Sequence, residues 1–273
     1  MKTRIVAGVT AAILVTWLLF TGPQLSILLL TLLLSVMAYL EFDRLFFERP
    51  NFGRRSIPIL FLLLVVTSIS VSLEWGWVAM WLGLIALFIR HVFLPSRSGD
   101  FQSAVHDISI ELLGMWYVVG LFSFVVPIIN LEPLGRQYLF LLLLMVFVGD
   151  SAAYFVGKFF GRHSLAERVS PKKTVEGAIG AGVGCFLASL VWMKVVGHID
   201  PSSTNGIRIL LFSPVISALA QFGDLFESVL KRSQDKKDSG TFLPGHGGLL
   251  DRVDGLALSS PVFYFFIRYA LEP

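Results

Sequence analysis

Blocks of 16 to 24 mostly apolar residues recur along the whole chain, and they leave few folds open. A hydrocarbon layer about 30 Å thick is crossed by ~20 apolar helical residues. Inside that layer every backbone N–H and C=O needs a partner within the protein, so only helices and closed barrels span it. A barrel strand would alternate in polarity over ~10 residues, and runs such as LFLLLLMVFV at 139–148 do not alternate. The expectation is an all-α, polytopic integral membrane protein of about nine transmembrane helices. Their expected spans are 5–20, 24–40, 57–73, 75–93, 105–128, 137–156, 175–196, 207–229 and 253–270. Only 15% of the 273 residues are charged, against about 25% in soluble domains. That excludes an ordinary soluble enzyme. Nucleic-acid binding is not expected either, because no basic segment is long enough to fold alone outside the membrane.

Charge placement gives a direction to these spans. Of the 22 Lys and Arg residues, 18 fall before the first span or around the loops after the second, fourth, sixth and eighth. Only Arg136, Lys194, Arg208 and Arg268 fall on the other side. Basic residues concentrate on the cytoplasmic side, so the N-terminus is expected in the cytoplasm and the C-terminus outside. The first block follows Lys2 and Arg4, as a signal peptide would. No small-residue cleavage site follows it, and a second apolar block begins at Leu25, so a retained helix is expected. The segment from Glu41 to Arg55 reads as an interfacial hairpin that anchors topology, and 96–103 as a polar linker. Cys185 is the single cysteine, which excludes an internal disulfide and a cysteine-based zinc site. It reads as a small core residue.

Against this apolar background, residues 228–254 (SVLKRSQDKKDSGTFLPGHGGLLDRVD) are densely charged. Asp150, Asp224 and Glu227 also lie late in apolar spans, where an acid at a helix centre costs about 2.5–3.5 kcal/mol. Gln221, Asp224, Ser228 and Lys231 share one helical face, so a polar stripe runs into the charged loop. Gly245, Gly247 and Gly248 can form an anion-binding nest of backbone N–H groups. Asp251 and Asp254 follow at the start of the last helix. Mg²⁺ commonly takes one or two carboxylates together with substrate phosphates, and Asp224 with Asp251 could supply that pair. His246 is open between phosphate donor, proton relay and local hydrogen-bonder. Upstream, Ser170–Pro171 reads as an N-cap with proline at the first helical position. Lys172 and Lys173 would then sit at a helix N-terminus suited to phosphate. No P-loop motif occurs. An enzyme acting on phosphates, a transporter with intramembrane acids and a different lipid-linked phosphotransferase, such as a polyprenol kinase, all remain open at this level.

The pattern S-x-[apolar]-K-R-x4-K-D-x-[small]-x2-[apolar]-[small/P]-x-H-G-G-x2-D-R-x-D resembles the signature of the phosphatidate cytidylyltransferases, or CDP-diacylglycerol synthases. It is carried by Ser228, Lys231, Arg232, Lys237, Asp238, His246, Gly247, Gly248, Asp251, Arg252 and Asp254. The stretch from Gly149 to Gly177 is similar to that family's middle segment. The resemblance implies transfer of the cytidylyl group of CTP to phosphatidic acid, giving CDP-diacylglycerol and pyrophosphate for phospholipid synthesis. It implies Mg²⁺, with K⁺ as a second cation, and metal carboxylates at Asp224 and Asp251 supported by Asp150. The implied catalytic set is Asp224, Lys231, Arg232, Lys237, Asp238, His246, Asp251, Arg252 and Asp254. The implied substrate-binding set is Ser170, Lys172, Lys173, Thr174, Ser228, Gly247 and Gly248. Residues 1–100 would be four N-terminal spans, and 101–273 a catalytic membrane region with cytoplasmic loops 157–174 and 230–252. A bacterial inner-membrane location with the site facing the cytoplasm follows. Small residues such as Gly180, Ala181 and Gly184 would suit helix packing, a homodimer included.

The chemistry agrees with these residue types. A phosphate monoester has a second pKa of about 6, so a phosphatidate nucleophile needs no strong base. The difficulty is bringing it to a polyanionic triphosphate, which cations remedy.

Overall fold

The computed structural model describes residues 2–47, 52–93, 101–240 and 247–271. The protein is an all-α polytopic membrane protein with one small β-hairpin. Its helices are α1 (Lys2–Thr21), α2 (Gln24–Phe46), α3 (Phe52–Val71), α4 (Leu73–Phe93), α5 (Phe101–Gly114) and α6 (Val125–Ile129). Then come α7 (Gly135–Phe160), β1 (Ser164–Ala166), β2 (Ser170–Thr174), α8 (Val175–Val196), α9 (Thr204–Arg232) and α10 (Leu250–Phe266). Helices occupy all nine expected places. Among the described residues, six are long and apolar enough to cross a membrane: Gln24–Phe46, Leu73–Phe93, Phe101–Ile129, Gly135–Phe160, Val175–Val196 and Thr204–Arg232.

Several helices run past the apolar blocks that announce them. Helix α7 continues through Lys158 to Phe160 and stops where Gly161 turns extended. Helix α9 keeps Lys231 and Arg232 in its last turn, where cations suit the negative end of the helix dipole. The expected 105–128 span is interrupted: α5 gives way to a π turn at Met115–Leu121, a 3-10 turn at Phe122–Phe124 and then α6. Helix α5 starts at Phe101, inside the stretch expected to be a polar linker. The last span is likewise divided, with a π turn over Ile267–Leu271 after α10.

The region 157–174 differs most from expectation. Strands β1 and β2 pair antiparallel, Ser164 opposite Thr174 and Ala166 opposite Ser170. The N-cap of α8 is Thr174, whose side chain accepts the Gly177 N–H at 3.1 Å. Ser170 and Pro171 are therefore strand residues and not the cap. The hairpin takes their backbone, and the β-branched Thr174 does the capping four residues later. Glu176 ties the hairpin to α8 by accepting the N–H groups of Arg162 and His163 at 3.0 and 3.2 Å. Lys172 and Lys173 are consequently on β2, just before the helix.

The chain forms two compact units, residues 1–130 with 238–250, and 131–237 with 251–273. In the first unit, α2, α3, α4 and the 101–129 segment pack together around Tyr39, Phe42, Leu62, Val66, Leu87 and Met115. Two buried acids there meet arginines from neighbouring helices. Asp43 pairs with Arg55 at 2.5 Å and Glu111 with Arg90 at 2.8 Å. In the second unit, α8 lies between α7 and α9. Gly180, Ala181 and Gly184 are buried within this unit; Val156 of α7 lies beside Gly180, and Ala152 beside Gly184. Pro214 interrupts α9 and leaves the Leu210 carbonyl without its usual helical donor. The Ser213 hydroxyl donates to that carbonyl at 2.9 Å, which keeps the break satisfied in an apolar setting.

Helix α10 crosses α9 where α9 has no side chain. A methyl group built at Gly223 would overlap the carbonyl oxygen of Asp254. Gly223→Ala is expected to force α9 and α10 apart and cost about 1–3 kcal/mol, read as a lower thermal midpoint of the purified protein in detergent. Gly182→Ala is the control, because its nearest neighbour would be the Pro214 Cβ at 3.8 Å. An equal drop for both would contradict the close-approach account.

Candidate active site

The second unit gathers its acids from three helices. Asp150 lies on α7, Asp224 and Glu227 on α9, and Asp251 and Asp254 on α10. The i, i+3 spacing of Asp224 and Glu227 puts both on one face of α9. Asp251 and Asp254 repeat that spacing in the first turns of α10.

Lys231 joins the two helices. Its Nζ donates to Glu227 at 2.9 Å and to Asp251 at 2.5 Å. The lysine side chain is 11% exposed, Glu227 1% and Asp251 14%. Glu227 also feels the charges of Asp251 and Asp254. Its Oε1 nevertheless has no partner among the described residues. Asp254 accepts the Gly255 N–H at 2.7 Å, which fixes its carboxylate against its own helix.

A second lysine serves the open side. Lys173 on β2 reaches Asp224 at 2.6 Å, with side-chain exposures of 23% and 43%. Asp150 is exposed and feels the charges of Asp224, Lys173 and Arg252. Asp254 feels those of Asp224 and Asp150. The acids therefore form a gradient from the buried Glu227 to the accessible Asp224 and Asp150. Gln221, on the same face of α9, donates to Ser217 and to the Ala178 carbonyl of α8 at 3.2 and 3.4 Å.

Of the other expected site residues, Arg252 acts on Asp150 through its charge. Lys172, Arg232, Lys237, Asp238 and Arg252 are exposed. Ser170 and Ser228 are half-buried, and Thr174 is committed to capping α8. Asp238, Gly247 and Gly248 belong to the first unit, while Gly245 and His246 lie outside the described residues. Gly247 has a φ of 84°, a conformation that favours glycine. Gly248 is packed against a carboxylate, that of Glu41 on α2, which also accepts the Leu250 N–H at 2.9 Å. Of the anions in the first unit, it is Glu41 that this glycine-rich turn holds.

Two acids carry more than their sequence suggests. Glu227 is central to the network; its local signals are its place late in an apolar span and the Glu-to-Lys spacing of four residues with Lys231. Glu41, expected only as part of a topology anchor, is 6% exposed and tied to residues about 200 positions away. No local pattern marks it. Among the described residues no group of three or more His, Cys, Asp or Glu is arranged to hold a metal. The predicted metal ligands Asp224 and Asp251 are each neutralised by a lysine ammonium.

Residues 2–270 match the cytidylyltransferase family. A phosphatidate cytidylyltransferase of Bacillus subtilis is 33% identical over 98% of this chain and 97% of its own length. One from Thermotoga maritima is 36% identical over 68% of each chain. A phosphatidate cytidylyltransferase of Brucella suis is 29% identical over the whole of this chain and 95% of its own.

Removing Lys231 strands two carboxylates in a dry setting, whereas Lys173 faces a partner that water reaches. Lys231→Met is expected to destabilise the protein by about 3–5 kcal/mol, the range for breaking a buried pair. Lys173→Met should cost no more than about 1 kcal/mol. Thermal unfolding of both variants in one detergent checks the order. Equal losses would mean that the two bridges do not differ in burial as described.

Proposed function

The chain belongs to the cytidylyltransferase family, and from that membership we propose that it transfers the cytidylyl group of CTP to phosphatidate, forming CDP-diacylglycerol and pyrophosphate. The observation that carries this reading is the convergence of carboxylates from α7, α9 and α10 with lysines from β2 and α9. The names of its relatives support the same reaction. In that reaction a phosphatidate oxygen bonds to the α-phosphorus of CTP. The bond from that phosphorus to the β-bridging oxygen breaks, and pyrophosphate leaves.

The donor set suits a hard divalent cation. It consists of carboxylate oxygens without sulfur, and the buried Glu227 leaves one oxygen unsatisfied. Asp224 and Asp251 would hold Mg²⁺, with Asp150 in support, and K⁺ is the proposed second cation. When bound, the metal supplies positive charge to the CTP phosphates. Lys173 and Lys231 now neutralise the same carboxylates, so their ammonium groups stand at the edge of any phosphate that approaches. Lys172, Arg232, Lys237 and Arg252 are exposed and are proposed to draw in the phosphates of both substrates. Asp238, His246, Gly247 and Gly248 are assigned to phosphate handling on the signature alone, and Ser170, Thr174 and Ser228 to local support.

We further infer nine spans, a cytoplasmic N-terminus and a site opening to the cytoplasm of a bacterial inner membrane. The acyl chains of phosphatidate then stay in the bilayer while its headgroup reaches the carboxylates. Cys185 is fully buried, so it would not interfere with labelling of cysteines placed elsewhere. A cysteine at Lys237 is expected to react with a membrane-impermeant maleimide only from the cytoplasmic side, and one at Ser202 only from the other. The reverse pattern would overturn the orientation.

The reaction is checked with purified protein, CTP, phosphatidate and Mg²⁺. CDP-diacylglycerol and pyrophosphate should form in equal amounts and stop on chelation. Asp251→Asn should lower kcat by about 100-fold, as expected when one electrostatic contact to a developing charge is lost. Nucleotide-independent lipid movement without pyrophosphate release would favour a transporter, and a preference for ATP would favour a lipid kinase.

A further inference from the structure

Glu41 is an acid near the end of a mostly apolar helix, 6% exposed, and a buried carboxylate is costly unless it is hydrogen-bonded. Its Oε2 accepts the Leu250 N–H at 2.9 Å and lies 3.4 Å from the Ser239 hydroxyl, which donates to it. Methyl groups built at Gly240 or Gly248 would both run into this carboxyl group. One side chain therefore touches residues 239–240 and 248–250, the two ends of the segment between α9 and α10. The absent side chains of Gly240 and Gly248 let the backbone come close enough for these contacts. The Leu250 N–H belongs to the first turn of α10, where an anion is also favoured by the helix dipole.

We propose that Glu41 is a positioning residue for the transfer reaction. It holds residues 239–240 and 248–250 against one carboxylate and so sets where α10 begins. Leu250 is followed directly by Asp251, so the clasp fixes the entry of the chain into its acid-bearing turn. Residues 239–240 and 248–250, held on one side chain, have already met the entropic cost of being brought together. Without the clasp that cost falls on each catalytic cycle. This inference rests on the proposed cytidylyl transfer for its effect on rate, but the clasp itself can be tested without it.

Glu41→Met keeps the volume and removes the acceptor. A buried ionic group replaced by a well-fitting apolar one is tolerated for folding. Glu41→Gln keeps an acceptor oxygen but not the charge, and hydrogen bonds to ions are about twice as strong as neutral ones. Two readouts are taken on purified protein: tryptic cleavage at Lys236 and Lys237, and steady-state kinetics per amount of folded enzyme. The Met variant should be cleaved about tenfold faster and lose about tenfold in kcat, the size of one charge-assisted hydrogen bond. Its KM for CTP should move less than about threefold, because no phosphate-facing cation is altered. The Gln variant should fall between wild type and Met in both readouts. Wild-type cleavage and wild-type kcat in both variants would overturn the proposal. Altered cleavage with unchanged kcat would also overturn it, leaving Glu41 a purely structural group. If the wild-type protein forms no CDP-diacylglycerol, the reaction assignment fails, and the cleavage rates still decide whether the clasp exists.

Discussion

Lys231 is held between two carboxylates in surroundings where none of the three charges could stand alone. Moving an ion out of water costs several kcal/mol even after relaxation. The ammonium group meets that cost only by touching Glu227 on its own helix and Asp251 on the next. The end of α9 and the start of α10 are thereby locked in register. Gly223 allows the same two helices to touch backbone to backbone about two turns earlier along α9. With those two contacts fixed, Asp224 and Asp254 have little freedom left.

The same constraint is met differently in the two units. In the first, Asp43 and Glu111 are enclosed with arginines, and Glu41 is enclosed with backbone and hydroxyl donors. These acids are buried against partners within their own unit. In the second, the acids run from a buried Glu227 to an accessible Asp224 whose lysine is itself partly exposed. Burial thus separates acids enclosed with their partners from acids that water reaches. The reading of the second unit as the chemical centre follows from that contrast as much as from any motif.

The helices were legible in the sequence because each depends on its own residues. A run such as 139–148 announces a span wherever it is placed. Helix ends were less legible. The span expected at 175–196 coincides with α8, yet the β-hairpin took Ser170 and Pro171 from the cap expected before it. Lys172 and Lys173 were visible as a basic pair, but pairing within the hairpin set their place. The stripe from Gln221 to Lys231 was readable because helical phase is a local property. That Lys231 would be shared between Glu227 and Asp251 was not, since nothing in the phase of one helix says which side chain of another will face it.

Sequence alone determined the class of this protein, the position of its helices and the family it belongs to. Apolar length and the order of the signature residues are read one segment at a time. Tertiary structure decided which charges are neutralised and by what. Asp251 is twenty residues from Lys231, and Glu41 is 198 residues from Ser239. A charge in a low-dielectric interior takes whatever partner the packing of helices brings within about 3 Å, and no local pattern records that choice.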